Sequence, residues 1–335
     1  VTAGAPATGA GEPLRVETLP TLPALGGLYA RGAAASGRIA AGRALPGLPV
    51  IGAGRTGDGT DTTERPLALP DVAYRVPSVA TAPLARHLHD YQRLLHEPVT
   101  DVLPAGYLHV LAFPLATAVM VRGDFPLPLL GMVHLANDVE LRAPVHLGDV
   151  LEVRAWAERL RPHRRGVQVD LVAEVRRAGG PEGDDVPVWR GVSTYLVKGF
   201  HLPSEEPGEP DPDQAPSGTW TPPLPTGRWA LGPGTGRAYG AVSGDRNPIH
   251  LSALSAKAFG FPRAIAHGMY TAARALADVG HARGDAYRWT VEFAAPVLLP
   301  GTVDVAVTPD DPGFSYVGWN ARRGRRHFSG TVTPL

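Results

Sequence analysis

Residues 139–153 read VELRAPVHLGDVLEV and residues 291–305 read VEFAAPVLLPGTVDV, with seven of the fifteen positions identical. Each reads as a strand, a turn carrying proline (Ala143-Pro144-Val145 and Ala295-Pro296-Val297), and a second strand. Both follow a helical segment, so duplication of one unit explains the likeness better than chance. On this reading the chain holds two copies of a helix-then-strands domain.

Working outward, Leu84, Leu88, Tyr91 and Leu95 recur at helical spacing after Pro83. Residues 108–121 are apolar enough for a buried helix that Pro114 must kink or begin. Strands follow at 139–141, 150–157, 166–175 and 186–198. The same order returns later. Residues 252–259 form a short helix stopped by Gly260 and Pro262. Residues 267–279 form a longer one, with Met269, Ala272, Ala273, Leu276 and Val279 on one face. Strands are expected at 288–294, 302–308, 315–322 and 327–332. Between the copies, residues 201–226 carry eight prolines and a cluster of acids, the composition of a semi-extended linker. Residues 1–66 are rich in Ala, Gly, Pro and Thr and are expected to be a poorly ordered leader. The alternative there is a short basic helix bearing Arg31, Arg38 and Arg43. The domains are thus 67–200 and 227–335.

Composition narrows the function. The 335 residues carry 32 basic and 32 acidic side chains, which argues against nucleic-acid or membrane-surface partners. There is no cysteine, which removes disulfides, cysteine–zinc sites and thiol catalysis. No apolar run reaches the ~20 residues of a membrane span, and residues 1–11 do not resemble a signal peptide. A cytoplasmic protein is the expectation.

The chemistry concentrates in residues 239–270, YGAVSGDRNPIHLSALSAKAFGFPRAIAHGMY. Taken singly, Asp245 and Asn247 read as turn or helix-cap residues and His250 as a structural histidine. Together they read differently. Asp245 and His250 flank a proline turn that can bring a carboxylate and an imidazole to one point, as general acid–base chemistry requires. His267-Gly268-Met269 opens a helix, whose free N–H groups can stabilise a developing oxyanion.

The string Tyr239-x3-Ser243-Gly244-Asp245-x-Asn247-Pro248-Ile249-His250, then Ala258-x-Gly260-Phe261 and Ile265-x-His267-Gly268-Met269, resembles the MaoC-like, (R)-specific enoyl-CoA hydratase family. The first half, on residues 103–116, Phe125-Pro126 and 160–175, resembles the non-catalytic domain of two-domain 3-hydroxyacyl-thioester dehydratases. The resemblance covers roughly residues 80–335. It implies an α+β double hot-dog fold, in which each domain wraps a curved antiparallel sheet around a long helix. It implies hydration of trans-2-enoyl thioesters, or the reverse dehydration, with Asp245 and His250 activating water, Asn247 bracing them and the Gly268 N–H binding the thioester carbonyl. Ser243, Gly244, His267 and Met269 are the substrate-side candidates. Arg164, Arg165, Arg322 and Arg323 are candidates for phosphate contact, a solvated hairpin turn being the plainer reading of the second pair. No metal and no cofactor are implied beyond the CoA or phosphopantetheine of the substrate, on CoA or on an acyl-carrier protein. A monomer or a homodimer is compatible. The first half departs from the motif: Glu97 follows Tyr91 at the spacing of Asp245 after Tyr239, but no histidine follows it. One site per chain is therefore expected, with His109 structural. A hot-dog thioesterase is the rival enzyme, although the long helix offers only Asp278 near its far end. An acyl-thioester binding subunit without activity is the other rival.

Overall fold

The computed structural model describes residues 14–44, 67–179, 186–202 and 220–335. Most of the proline-rich linker, residues 203–219, lies outside them. In the first half, β1 (Arg15–Thr18) and α1 (Leu25–Ala44) precede β2 (Val72–Ala80), α2 (Ala85–Leu95) and α3 (Ala105–Met120). Four strands complete it: β3 (Val133–Leu141), β4 (Val150–His163), β5 (Gly166–Arg177) and β6 (Trp189–Lys198). The second half comprises β7 (Gly227–Leu231), α4 (Thr235–Ser243), α5 (Pro248–Leu251), α6 (Ala253–Ala258) and α7 (Gly268–Val279). It ends in β8 (Tyr287–Phe293), β9 (Gly301–Pro309), β10 (Phe314–Asn320) and β11 (Arg326–Pro334).

All eleven strands form one sheet, in the order β1-β2-β4-β5-β6-β3-β8-β11-β10-β9-β7. The pattern β2-β4-β5-β6-β3 is repeated by β7-β9-β10-β11-β8, so the duplication seen in sequence is a duplication of topology. The halves join where β3 pairs antiparallel with β8. If Val139 corresponds to Val291, Asp138 corresponds to Thr290, and these two pair with each other. A local two-fold therefore passes through the seam. This is a double hot dog.

Each long helix suits its half. α3 is apolar on every side and nearly all of it is buried, as expected of a helix wrapped by a sheet. Pro114 falls inside it rather than at its first turn. α7 buries Ala272, Ala273, Ala275 and Leu276, and its small side chains allow close approach. Gly106 of α3 shows how close: a Cβ there would lie 2.4 Å from Tyr91 Oη and 3.0 Å from Ala273 Cβ. The two central helices thus cross through a glycine.

The expectation of a poorly ordered leader fails between residues 14 and 44. β1 pairs in parallel with β2, and α1 buries Leu28 completely. The helix contains Arg31, Arg38 and Arg43, as the alternative reading had it, but it is held by tertiary packing. Residues 1–13 and 45–66 lie outside the described residues.

Glu97, the first-half counterpart of Asp245, meets a different partner. Its carboxylate accepts from Arg283 Nη1 at 3.1 Å and Nη2 at 2.8 Å. Arg283 lies just after α7 and also donates to the Leu276 carbonyl at 2.9 Å. This buried fork ties the two halves together. Glu97→Ala leaves Arg283 buried without its counter-charge and is expected to cost about 3–5 kcal/mol of stability. Replacing both residues by methionine should recover most of that loss in urea or thermal melts. An unaltered melting curve for Glu97→Ala would show the pair to be idle.

Candidate active site

The turn between α4 and α5 is built from its own side chains. Ser243 Oγ donates to the Tyr239 carbonyl at 2.8 Å and accepts from the Asp245 N–H at 3.1 Å. Gly244 adopts φ +72°, a conformation glycine takes without strain. Asn247 Oδ1 caps α5 through the Ile249 N–H at 3.4 Å, with Pro248 at the first helical position. The capping role expected of an isolated Asn is therefore real. It leaves Asp245 and His250 fixed on either side of the turn.

His250 is almost fully buried. Its Nδ1 lies 2.9 Å from the Ile265 carbonyl. A carbonyl can only accept, so Nδ1 carries the proton and the neutral ring keeps its lone pair on Nε2. The partner that orients this imidazole is thus the Ile265 carbonyl. His267 stacks on His250 with ring centroids 3.6 Å apart and planes 24° from parallel. Its Nε2 donates to the Asp245 backbone carbonyl at 3.0 Å and lies 3.7 Å from Asp245 Oδ2.

Asp245 Oδ1 accepts from the Asn247 N–H at 3.1 Å and from Tyr29 Oη at 2.5 Å. Burial works to raise the Asp245 carboxyl. The imidazoles of His267 and His250, with the two hydrogen bonds, outweigh it and hold the group below its ordinary value. Burial lowers both imidazoles, His267 to about 3. At neutral pH the site therefore holds a carboxylate and two uncharged imidazoles.

These groups open onto a cavity of about 470 Å³ between the halves, within the size range of small-molecule sites. Ser243, Asp245, Asn247, His250, His267, Gly268 and Met269 all line it. Gly268 begins α7, so the N–H groups of that first turn lack helical acceptors. The space a side chain at 268 would fill is taken by Phe293, whose ring carbons lie 2.9–3.1 Å from an added Cβ. The first half contributes Val110, Phe113, Met120, Leu129 and Met132, an apolar wall. His109 and His134 also line the cavity, pushed by burial to about 4 and about 3.

The expected phosphate contacts divide. Arg165 lines the cavity; Arg164, Arg322 and Arg323 do not. Arg322 and Arg323 instead donate their backbone N–H groups to Asn320 Oδ1 in the hairpin between β10 and β11, and it is Arg325, beyond the turn, that reaches the cavity alongside Lys198. Gly244 lies behind the lining, against Leu25 of α1. Tyr29, 216 residues from Asp245 in sequence, was not foreseen. Asp278 bonds to Trp229 Nε1 at 2.9 Å and is not part of the cavity wall, which leaves the thioesterase reading without its acid.

Donor atoms of Asp245, His250 and His267 lie within 4.8 Å of one another. Stacked rings, however, direct their in-plane lone pairs side by side rather than toward one ion. The group suits proton chemistry better than metal ligation.

Comparison with known proteins agrees with this geometry. The MaoC-like domain family matches residues 211–311. Over 233 residues the chain is 40% identical to 3-hydroxyacyl-thioester dehydratase X of Mycobacterium tuberculosis, covering 70% of this chain and 79% of that protein. A 3-hydroxybutyryl-CoA dehydratase of Methylorubrum extorquens is 41% identical over 73 residues, 21% of this chain and 46% of that one. The crystal structure of HtdX from Mycobacterium tuberculosis superposes with a TM-score of 0.67 at 33% identity, over 78% of this chain and 100% of that one. A MaoC-like dehydratase from Phytophthora capsici, at 19% identity and a TM-score of 0.59 over 78% of this chain and 95% of its own, shares the fold. With a fold, a motif and two-thirds of its length in common with such relatives, the chain belongs to the MaoC-like dehydratases, hydro-lyases built on the hot-dog fold.

Proposed function

We propose that the protein reversibly hydrates a trans-2-enoyl thioester to the (3R)-hydroxyacyl thioester, one water per turnover, on CoA or an acyl-carrier protein. The observation that carries this reading is convergence on one cavity. A half-buried carboxylate, an imidazole whose Nε2 keeps its lone pair and the N-terminus of α7 meet there, opposite an apolar wall that fits an acyl chain. All come from one chain, so no second copy is required.

His250 Nε2 takes a proton from water as its oxygen bonds to C3. Electrons shift through the double bond to the thioester oxygen, where the Gly268 N–H and the α7 dipole stabilise the enolate. The imidazolium then returns a proton to C2, restoring the carbonyl. Asp245 accepts the water's second hydrogen, orienting the attack, and offsets the transient positive charge on His250. The thioester carries its own pantetheine arm; its phosphates would meet Arg165, Lys198 and Arg325 at the mouth.

Asp245→Asn and His250→Gln should each lower kcat by about 10²-fold or more with little change in melting temperature. The measurement is loss of enoyl-thioester absorbance with crotonyl-CoA and a longer trans-2-enoyl-CoA. A near-normal rate in either variant removes that residue from the mechanism.

Because His250 must be neutral to accept a proton, and burial holds it below the ordinary imidazole value of about 6.5, the acid limb of kcat/KM should fall below that pH. The rate should be flat through neutrality. A limb centred above pH 7 would contradict this assignment.

The double variant Arg165→Ala/Arg325→Ala should raise KM for an enoyl-CoA several-fold and weaken its salt dependence. It should leave an N-acetylcysteamine thioester, which lacks phosphates, unaffected. Equal effects on both substrates would place the arginines in the fold rather than at a phosphate.

A further inference from the structure

Asp245 is held ionised in a half-buried site, and a carboxylate drawn partly out of water needs hydrogen-bond donors in compensation. Two donors reach Oδ1. One is the Asn247 N–H of its own turn. The other is Tyr29, delivered by a helix that belongs to neither repeat. The Tyr29 contact is the shorter, 2.5 Å against 3.1 Å, as expected of a hydroxyl bonded to an ionised oxygen.

The face of α1 that carries Tyr29 is seated on both halves at once. Leu25, one turn earlier, packs where a Cβ on Gly244 would lie 2.7 Å from its Cδ1. Leu28 is fully buried. Gly32, one turn later, lies against Leu129, and a Cβ there would come within 2.6 Å of Leu129 Cδ2. Residues at these spacings share one side of a helix. That side bridges the catalytic turn of the second half and the acyl-side wall of the first. Burial, with the adjacent Asp245 charge, raises the Tyr29 phenol well above its usual value, so it stays protonated and acts only as a donor.

We infer that Tyr29 is a positioning residue for Asp245, fixing Oδ1 so that Oδ2 is the oxygen left to meet the water. The inference rests on the dehydratase reading of Asp245 and adds to it a residue from outside the duplicated fold. Tyr29 also lines the cavity, but its role runs through the carboxylate rather than through the reacting atoms.

Tyr29→Phe keeps the ring and its packing and deletes the hydroxyl. Assayed with crotonyl-CoA and a longer enoyl-CoA, it should lower kcat roughly 10–100-fold, the worth of one hydrogen bond to a charged group, with KM changed little. Losing a bond to the charged form also raises the Asp245 pKa, so the carboxyl, followed by 13C NMR, should titrate at higher pH than in the wild type. The melting temperature should hold, and Tyr29→Phe should cost little more when added to Asp245→Asn. A rate within twofold of wild type and an unmoved Asp245 titration would overturn the inference. So would a lower rate accompanied by a lower melting temperature and an unmoved Asp245 titration, since that describes packing alone. If Asp245→Asn is crippled while Tyr29→Phe is normal, only the role of Tyr29 falls. If Asp245→Asn is fully active, the dehydratase reading of the carboxylate falls and Tyr29 falls with it.

Discussion

The pairing of β3 with β8 sets the geometry of the whole molecule. Two copies of one unit can share a sheet only if matching edges meet, and the meeting of Asp138 with its own counterpart Thr290 places a local two-fold there. Once the seam is fixed, α3 and α7 must lie on the same side of a continuous sheet and cross at Gly106 and Ala273. The start of α7 then faces the apolar wall of the first half, and the cavity follows. The energy of the seam resides in buried side chains such as Val139, Leu141, Tyr287, Trp289 and Val291. The exposed Asp138–Arg288 ion pair beside them adds little in water.

Within this symmetric frame the two halves compensate a carboxylate drawn out of water in opposite ways, Glu97 buried and Asp245 half-buried. Glu97 is neutralised by the guanidinium of Arg283, in a fork that leaves its oxygens saturated. Asp245 accepts from a phenol and a backbone N–H, neither of them charged, beside two imidazoles held neutral by burial. The first arrangement joins the domains. The second leaves a carboxylate that still responds to a proton arriving nearby. Duplication supplied two equivalent corners, and a different neighbour at each made one a brace and the other a site.

How far the sequence could be read follows from where the information lies. The period-2 and period-3.6 patterns of β3–β6, β8–β11, α2, α3 and α7 are local and reflect burial, so they are legible, as is the 239–270 motif, whereas β1, β2 and β7 are not. α4 was missed because its TGRAYGAVS run has two glycines and little apolar periodicity. α1 was discounted for a related reason: in an Ala- and Gly-rich segment it is contact with Gly244, Leu129 and Asp245 that selects the helix. Those partners lie far along the chain, and Tyr29 reaches Asp245 across 216 positions. In the basic cluster 322–326 the plainer reading, a solvated hairpin turn, describes Arg322 and Arg323. A tight hairpin sends neighbouring residues in different directions, so Arg322 and Arg323 face solvent while Arg325 turns toward the cavity.

The stacked imidazoles bear on why the proposed hydration would move one proton, rather than two, through the site. His250 and His267 are 3.6 Å apart, and two cations at that distance in a buried setting repel strongly. Asp245 offers a single negative charge, so the pair can stabilise one added proton and no more. His267 spends its Nε2–H on the Asp245 backbone carbonyl, and its Nδ1 is buried with no hydrogen-bond partner among the described residues. It is therefore poorly placed to trade protons with water. In the proposed hydration the proton would go to His250, whose Nε2 keeps its lone pair and whose Nδ1–H is anchored to Ile265. Stacking thus makes His267 a neutral backing plate for the acting imidazole. It holds the ring in place, keeps its neutral form favoured, and leaves the Asp245 carboxylate as the counter-charge when the proton arrives.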